Sequence, residues 1–170
     1  MSILINLRSV IEQGVGASFI TEGTYESGTL ELGDLKFHPL SPAIYELTLI
    51  NAGEGVHASG TVALEARTLC VRCLREFDLR VEGKLEEVYY REPTTDEHGD
   101  ELPLIGDDDS IDIEPLVRES LLVEFPFAPL HDEDCAGLCS RCGADLNEGD
   151  CACGDEPDPN HPFANLKDIL

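Results

Sequence analysis

The stretch "VHASGTVALEARTLCVRCLREFDLRVEGKLEEVYY", residues 56–90, alternates small or apolar side chains with polar ones on both sides of a cysteine pair. The alternation runs through residues 56–66 and resumes over residues 77–81. A period of two residues is typical of strands that bury one face. The stretch therefore predicts two antiparallel strands, with the turn between them at Cys70 and Cys73.

Further strands are predicted on both sides of this pair. "YELTLI", residues 45–50, alternates and is followed by the turn-forming "NAGEG", while "SGTLELGD" near residue 30 is typical of a short hairpin. Leu85, Val88 and Tyr90 predict a further strand piece after a break near Gly83. The resulting fold class is α+β: a predominantly antiparallel, barrel-like meander with one packed helix and a small C-terminal zinc-binding appendage.

One helix is predicted near residues 113–125, within "SIDIEPLVRESLLVEFPF". Ser110 or Asp112 can cap its N-terminus, and Pro115 suits its first turn. We expect the helix to pack one face on the sheet. The residues assigned to that face are Leu116, Glu119, Ser120 and Val123, widened by Leu121, Leu122 and Phe125.

The charge of the chain is strongly negative, with 35 acidic and 11 basic residues giving −24. A polar stretch without Lys or Arg, residues 92–112, predicts a solvated, mobile loop; the alternative is an acidic arm for a basic partner. Such a charge repels nucleic acid, so basic proteins or metal ions are the expected partners. Direct RNA contact would require the fold to gather the arginines nearest the cysteine pairs, which are Arg67, Arg72, Arg75, Arg80 and Arg141.

The cellular location is predicted to be the cytoplasm. "MSILINLRSV" lacks the features of a secretory signal, and no apolar run approaches the length of a membrane span. Clustered cysteines in the cytosol usually bind metal or carry out redox chemistry. No common catalytic motif is found, so we expect neither an enzyme nor a small-molecule substrate.

Five of the seven cysteines lie in "CAGLCSRCGADLNEGDCACG", residues 135–154. Two cysteines at C-x2-C spacing can aim both sulfurs at one ion, and Gly143 suits the turn that follows the second. The spacing favours a compact structural zinc site, although "CAC" requires a kinked backbone. Its ligands would be Cys139, Cys142, Cys151 and Cys153. The alternative is a ribbon in which Cys70 and Cys73 share an ion with Cys139 and Cys142.

The remaining cysteines, Cys70, Cys73 and Cys135, predict a second metal site or a thiol cluster. His131 is a candidate fourth ligand, although a surface histidine is the favoured interpretation. A thiol–disulfide redox pair at Cys70 and Cys73 is a further alternative. That chemistry requires a helix after the first cysteine, and the alternating pattern on both sides predicts none.

Three segments, "LCVRCLREFDLRVEGKLEEVYY", "FPFAPLHDEDCAGLCSRCGADLNEGDCAC" and "DPNHPFANLKDIL", resemble the YceD family in the same order. The resemblance implies a non-enzymatic role in 23S rRNA accumulation and large-subunit biogenesis. Some members of that family keep the earlier cysteines and lack the last four, which supports the compact site. Together with the charge, it suggests a ribosomal protein or assembly factor as partner; an acidic interaction module unrelated to ribosomes is the alternative.

The predicted domain organisation follows the cysteines. Residues 1–130 form a β-rich core domain, and residues 131–170 form a Cys-rich zinc-knuckle appendage with a C-terminal tail.

Overall fold

The structure is a computed structural model that describes residues 2–153. The predicted C-terminal tail and the motif "DPNHPFANLKDIL" lie outside the described residues. Ten elements follow one another along the chain: β1 (Leu4–Asn6), α1 (Arg8–Glu12), β2 (Ser18–Tyr25), β3 (Leu30–Leu32), β4 (Leu35–Pro39), β5 (Ala43–Asn51), β6 (Gly55–Leu69), β7 (Glu76–Tyr90), β8 (Ser110–Asp112) and α2 (Glu114–Glu124). No helix among these residues is long and apolar enough to cross a membrane.

The long hairpin of β6 and β7 is the centre of the main sheet. The two strands pair antiparallel along their full length, from Gly55 opposite Tyr90 to Leu69 opposite Glu76. The other edge of β6 carries β5 and then a short contact with β4, and β2 lies outside β5. The expectation of a mainly antiparallel sheet, drawn from the alternation in residues 56–90, is confirmed.

The sheet is open, so the barrel-like closure expected from the sequence is wrong. Among the described residues, the outer strands are β2, β3 and β7, and β7 pairs with neither of the other two. The apolar face is covered instead by α2, which packs on β7 and β6. A helix lying on the sheet removes apolar surface from water without requiring the edges to meet.

The predicted break at Gly83 is absent, because β7 runs unbroken through this residue. Gly83 lies on the buried face, and a Cβ there would be 2.9 Å from the backbone oxygen of Ser120 in α2. The glycine lets the helix approach the strand closely. The alternation therefore continues to buried Tyr89, while Val88 and Tyr90 are half-buried.

The predicted helix is present as α2, but its cap and buried face differ from the prediction. Ile113 is the N-cap residue, since Ser110 and Asp112 belong to β8, which pairs with β1. Asp112 still accepts a hydrogen bond from the Glu114 N–H at 3.0 Å. Val117 and Leu121 are the buried residues of the helix. Val123 is 78% exposed, so its assignment to the inner face is wrong.

The acidic stretch of residues 92–112 carries more regular structure than a solvated loop. The backbone N–H of Tyr90 donates to Pro103 at 2.8 Å, and that of Leu102 donates to Thr94 at 3.0 Å. Its last residues form β8, where Ile111 is buried in the core. Although the stretch is polar overall, its apolar residue Ile111 therefore packs in the core.

Candidate metal centres

Four thiols in the last described segment converge on one point. They belong to Cys139, Cys142, Cys151 and Cys153, which we call the four-cysteine cluster. Their sulfurs all lie within 4.8 Å of one another. A tetrahedral Zn²⁺ with metal–sulfur distances of about 2.3 Å holds its sulfurs about 3.8 Å apart, so the cluster could hold a metal ion after small adjustments.

The first two ligands lie in a tight knuckle. The N–H of Gly143 donates to the Cys139 oxygen at 2.8 Å, and the N–H of Cys139 donates to the Ala144 oxygen at 2.8 Å. Gly143 has φ of +73°, a left-handed conformation that favours glycine. The backbone conformation at Gly143 is therefore the one expected for a glycine after the second cysteine.

The "CAC" pair lies in a kinked segment, as a shared ion would require. Ala152 and Cys153 form a turn, so the sulfurs of Cys151 and Cys153 need not follow the geometry of a strand. The Arg141 Nη1 donates to the Cys153 carbonyl at 3.1 Å, which joins this turn to the knuckle. The two halves of the cluster are thereby held together by protein groups.

The electrostatics of the four-cysteine cluster favour a bound cation. Hydrogen bonds from the backbone amides of Cys142 and Arg141 lower the pKa of Cys139 to about 6. A hydrogen bond with the Cys142 sulfur, together with burial, raises the pKa of Cys153 to about 12. Without a cation, thiols this close cannot all ionise; a divalent cation would remove that conflict.

A second group of ligands forms what we call the buried cluster: Cys70, Cys73, His131 and Cys135. Their ligand atoms also lie within 4.8 Å of one another. The three thiols are only 0%, 6% and 3% exposed in that order, and the histidine is half-buried. The Nδ1 atom of His131 is 3.4 Å from the Cys73 sulfur, so this side chain lies beside the thiols.

The tip of the β6–β7 hairpin shapes one half of the buried cluster. The Leu74 N–H donates to the Cys70 oxygen at 2.9 Å, and Leu74 has φ of +60°. This tight turn brings both cysteines of "CVRC" to the same side. No helix follows Cys70, because residues 71–73 form a turn and β7 begins at Glu76. The helix that a thioredoxin-type pair uses is thus missing at this site.

The thiols of the buried cluster are also unequal. Burial alone raises the pKa of Cys70, but hydrogen bonds from His131 and from the backbone amides of Cys73 and Arg72 lower it to about 5. Burial and the neighbouring thiols raise the pKa of Cys73. One thiolate surrounded by donors, with further thiols in contact, is again an arrangement that suits a cation.

The structure separates the two sets of ligands in a specific way. Cys70 and Cys73 meet His131 and Cys135, whereas Cys139 and Cys142 meet the two cysteines of "CAC". The ribbon that would join Cys70 and Cys73 to Cys139 and Cys142 is not formed. These are the two groupings of metal-ligating side chains found within residues 2–153.

Both groups lie within a region that matches a known family. The model of the family described as large ribosomal RNA subunit accumulation protein YceD matches residues 58–170, which include all seven cysteines. The chain belongs to the YceD family. Membership covers the β6–β7 hairpin, α2 and both clusters, and leaves β1–β5 outside the match.

Several curated proteins are similar to this YceD protein. An uncharacterized protein of Mycobacterium tuberculosis is 36% identical over 104 residues, covering 59% of this chain and 50% of its own length. One from Mycobacterium leprae is 29% identical over 139 residues, covering 76% of this chain and 60% of its own. The large ribosomal RNA subunit accumulation protein YCED homolog 1, chloroplastic, of Arabidopsis thaliana is 36% identical over 62 residues, which is 35% of this chain and 19% of that protein.

The chain thus spans about half the length of the first of these relatives. No solved structure matches it.

The five arginines predicted as a partner surface are all engaged within this YceD protein. Three pair with carboxylates, which partly neutralise their charges, and two donate to backbone carbonyls. The pairs are Arg67 with Asp78, Arg75 with Asp145, Arg80 with Glu82, Arg72 with the carbonyls of Glu133 and Cys135, and Arg141 with the carbonyl of Cys153.

Asn147 lies beside the buried cluster, a position that the sequence did not predict. In the structure its Nδ2 donates to the Cys135 sulfur at 3.5 Å, and its Oδ1 accepts the Ala136 N–H at 2.8 Å. The available signal was its position in the "LN" of the quoted family motif.

Proposed function

We propose that this YceD protein is a non-enzymatic cytoplasmic factor for the accumulation of 23S rRNA and the biogenesis of the large ribosomal subunit. The observation that carries the proposal is the family match over residues 58–170, which contains both clusters and nearly all of the β6–β7 hairpin. The names of the family and of its chloroplast homolog describe large ribosomal RNA subunit accumulation.

The metal of the four-cysteine cluster is proposed to be Zn²⁺ in a structural role. Zinc accepts four thiolates in tetrahedral geometry, and a site filled by four protein ligands keeps no position for a substrate. Its function would be to order the segment that contains residues 139–153, because a chain this short cannot bury enough apolar surface to fold alone.

The direct partner is proposed to be a basic protein, either a ribosomal protein or an assembly factor. The net charge of −24 attracts a basic surface and repels the phosphates of RNA. The engagement of all five candidate arginines with local acceptors also argues against an RNA-binding patch built from them. We propose no membrane association and no small-molecule substrate.

Deletion of the gene followed by complementation tests the proposal. Sucrose-gradient profiles should show fewer large subunits, and 23S rRNA should fall relative to 16S rRNA. The wild-type gene and the control Ser140→Ala should restore both, because Ser140 is an exposed residue between two proposed ligands and is not one itself. Cys142→Ser, which removes a proposed ligand, should restore neither. Unchanged subunit profiles in the deletion strain would rule out the ribosomal role.

A pull-down with the purified full-length chain tests the partner. We expect basic ribosomal or assembly proteins to be retained after nuclease treatment. Retention that disappears when RNA is digested would instead indicate direct RNA binding.

A further inference from the structure

The buried cluster joins two parts of the chain that are distant in sequence. Cys70 and Cys73 come from the hairpin tip, and His131 and Cys135 come from the segment after α2. Cys70 and Cys135 are 65 positions apart in the sequence. The sulfurs of Cys70 and Cys135 are 3.8 Å apart. That separation is about the one a tetrahedral Zn²⁺ imposes on two thiolates.

We propose that the buried cluster binds a second Zn²⁺, which fastens the segment of residues 129–153 to the hairpin tip, and that Asn147 couples the filling of this centre to that of the four-cysteine cluster. The ligands would be three thiolates and the Nδ1 atom of His131. The inference does not rest on the ribosomal role, since its support is the geometry of the side chains.

Apolar packing alone does not account for this arrangement. The three cysteines form a small cluster of their own, separate from the main core, with Phe77, Leu130 and Leu138 as partly buried neighbours. Within this small group the sulfurs of three thiols and a ring nitrogen of one imidazole all lie within 4.8 Å of one another. A metal ion explains why four donors of the type zinc prefers converge there.

The backbone around the buried cluster holds the two parts in register. The Val71 N–H donates to the Pro129 oxygen at 3.0 Å, and the Leu138 N–H donates to the Arg72 oxygen at 3.2 Å. The Arg72 guanidinium donates to the Cys135 carbonyl at 2.8 Å. These bonds bring the second pair of ligands to the hairpin, so that an ion would complete a preformed contact.

Asn147 links the two centres directly. It lies in the loop between Cys142 and Cys151, two ligands of the four-cysteine cluster, and its amide donates to the Cys135 sulfur at 3.5 Å. An amide N–H directed at a ligating sulfur stabilises the thiolate. Filling of the four-cysteine cluster orders this loop and thereby positions the amide.

A second contact strengthens the link. Arg75 of the hairpin tip pairs with Asp145 of the same loop at 3.0 Å. Because energetic coupling is reciprocal, an ion in the buried cluster also favours the ordered loop around the four-cysteine cluster.

Metal content and cobalt spectra of the full-length protein test the second centre. We expect two zinc ions per chain in the wild type and one in Cys135→Ser or Cys142→Ser. Cobalt-substituted wild-type protein should show the ligand-field bands of two centres, one with three sulfurs and one nitrogen and the other with four sulfurs. This measurement does not depend on a variant that folds. One zinc in the wild type, or the spectrum of the four-sulfur centre alone, would overturn the proposal.

Competition with a chelator tests the contact between Asn147 and Cys135 that is proposed to carry the coupling, with the cobalt bands of the three-sulfur, one-nitrogen centre reporting on the buried cluster. We expect Asn147→Ala to weaken cobalt binding there by about tenfold, within the range for loss of an outer hydrogen bond, while two ions are still bound. Ser140→Ala, an exposed change between two ligands of the four-cysteine cluster, is the control and should leave that affinity unchanged. Equal affinity in Asn147→Ala and wild type, or an equal loss in both variants, would overturn the role of Asn147.

Discussion

At the residue scale, the acidity of a cysteine here depends on what surrounds its sulfur. Cys139 receives backbone amide hydrogen bonds and has a pKa of about 6, whereas Cys153 lies against another cysteine sulfur and has a pKa of about 12. Cys70 has a pKa of about 5 but is fully buried. Ionisation and access are therefore separate determinants of how each thiol reacts when no ion protects it.

The first prediction concerns alkylation of the metal-free protein by iodoacetamide. A pH of 7 is above the pKa of Cys139, so this side chain is mainly a reactive thiolate. The same pH is far below the pKa of Cys153, whose thiol stays neutral. Peptide mapping by mass spectrometry should show Cys139 modified well before Cys153. The rate at Cys139 should fall about tenfold or less as the pH drops from about 7 to about 5, because protonation removes the thiolate.

Three outcomes check this interpretation. Cys70 should react slowly at pH 7 in spite of its low pKa, because its side chain is not accessible. Equal modification rates at Cys139 and Cys153 would contradict the proposed difference in acidity. Addition of zinc before the reagent should protect both, since a ligating sulfur is no longer a free nucleophile.

At the scale of elements, the contact between α2 and the β6–β7 hairpin decides how the sheet is covered. Val117 and Leu121 lie against the sheet, and the aromatic ring of Phe125 stacks on that of Phe37 with ring centroids 3.9 Å apart. Gly83 provides the space into which the helix backbone fits. The helix thus replaces barrel closure as the way this sheet buries its apolar face.

Substitution of two valines in α2 tests which face of the helix is buried. Val117→Ala should lower the free energy of unfolding by about 2 kcal/mol, because the methyl groups that it deletes are buried in the folded protein. The matched change Val123→Ala, at a residue that is 78% exposed, should alter stability by less than about 0.5 kcal/mol. Urea denaturation measures both. A larger loss of stability in Val123→Ala than in Val117→Ala would instead support the helix face expected from the sequence.

Substitution of Gly83 tests the close approach of α2 and β7. The added methyl group of Gly83→Ala would meet the Ser120 backbone oxygen at 2.9 Å, so the helix must shift. We expect a loss of about 1–3 kcal/mol, as for overpacked cores, measured by thermal or urea unfolding. Lys84→Ala, at the next and exposed position of β7, is the control. Equal stability of Gly83→Ala and wild type would show that this space is not needed.

At the scale of the whole molecule, the protein contains a sheet-and-helix core and a segment, attached to the hairpin tip, that we propose depends on metal. The main apolar core contains buried residues from the strands and α2, and no cysteine belongs to it. The segment after residue 129 is connected to the tip by the buried cluster and by a few hydrogen bonds. The two parts should therefore differ in their response to metal removal.

Hydrogen–deuterium exchange with and without a strong chelator checks this difference. Removal of metal should speed exchange of the backbone amides over residues 135–153 and at the hairpin tip. The amides of β5 and the adjoining part of β6 should keep most of their protection, because apolar burial stabilises these strands without an ion. Simultaneous loss of protection throughout the sheet would contradict this division.

The sequence by itself determined the long β6–β7 hairpin, the existence of α2 and the two sets of cysteines, with His131 as a candidate fourth donor. Local rules suffice for these features: a period of two residues for a strand, the proline and apolar pattern for a helix, and C-x2-C spacing for a knuckle. The grouping of the cysteines into two separate clusters was favoured by spacing, but the ribbon alternative stayed open at that level.

Only the tertiary structure decided that the sheet stays open, that Gly83 continues a strand, that Val117 replaces Val123 on the inner face, and that Asn147 reaches Cys135. Each of these depends on how elements far apart in the chain approach one another. Periodicity describes one element at a time, whereas a helix laid on a sheet or an amide directed at a distant sulfur is fixed by packing between elements.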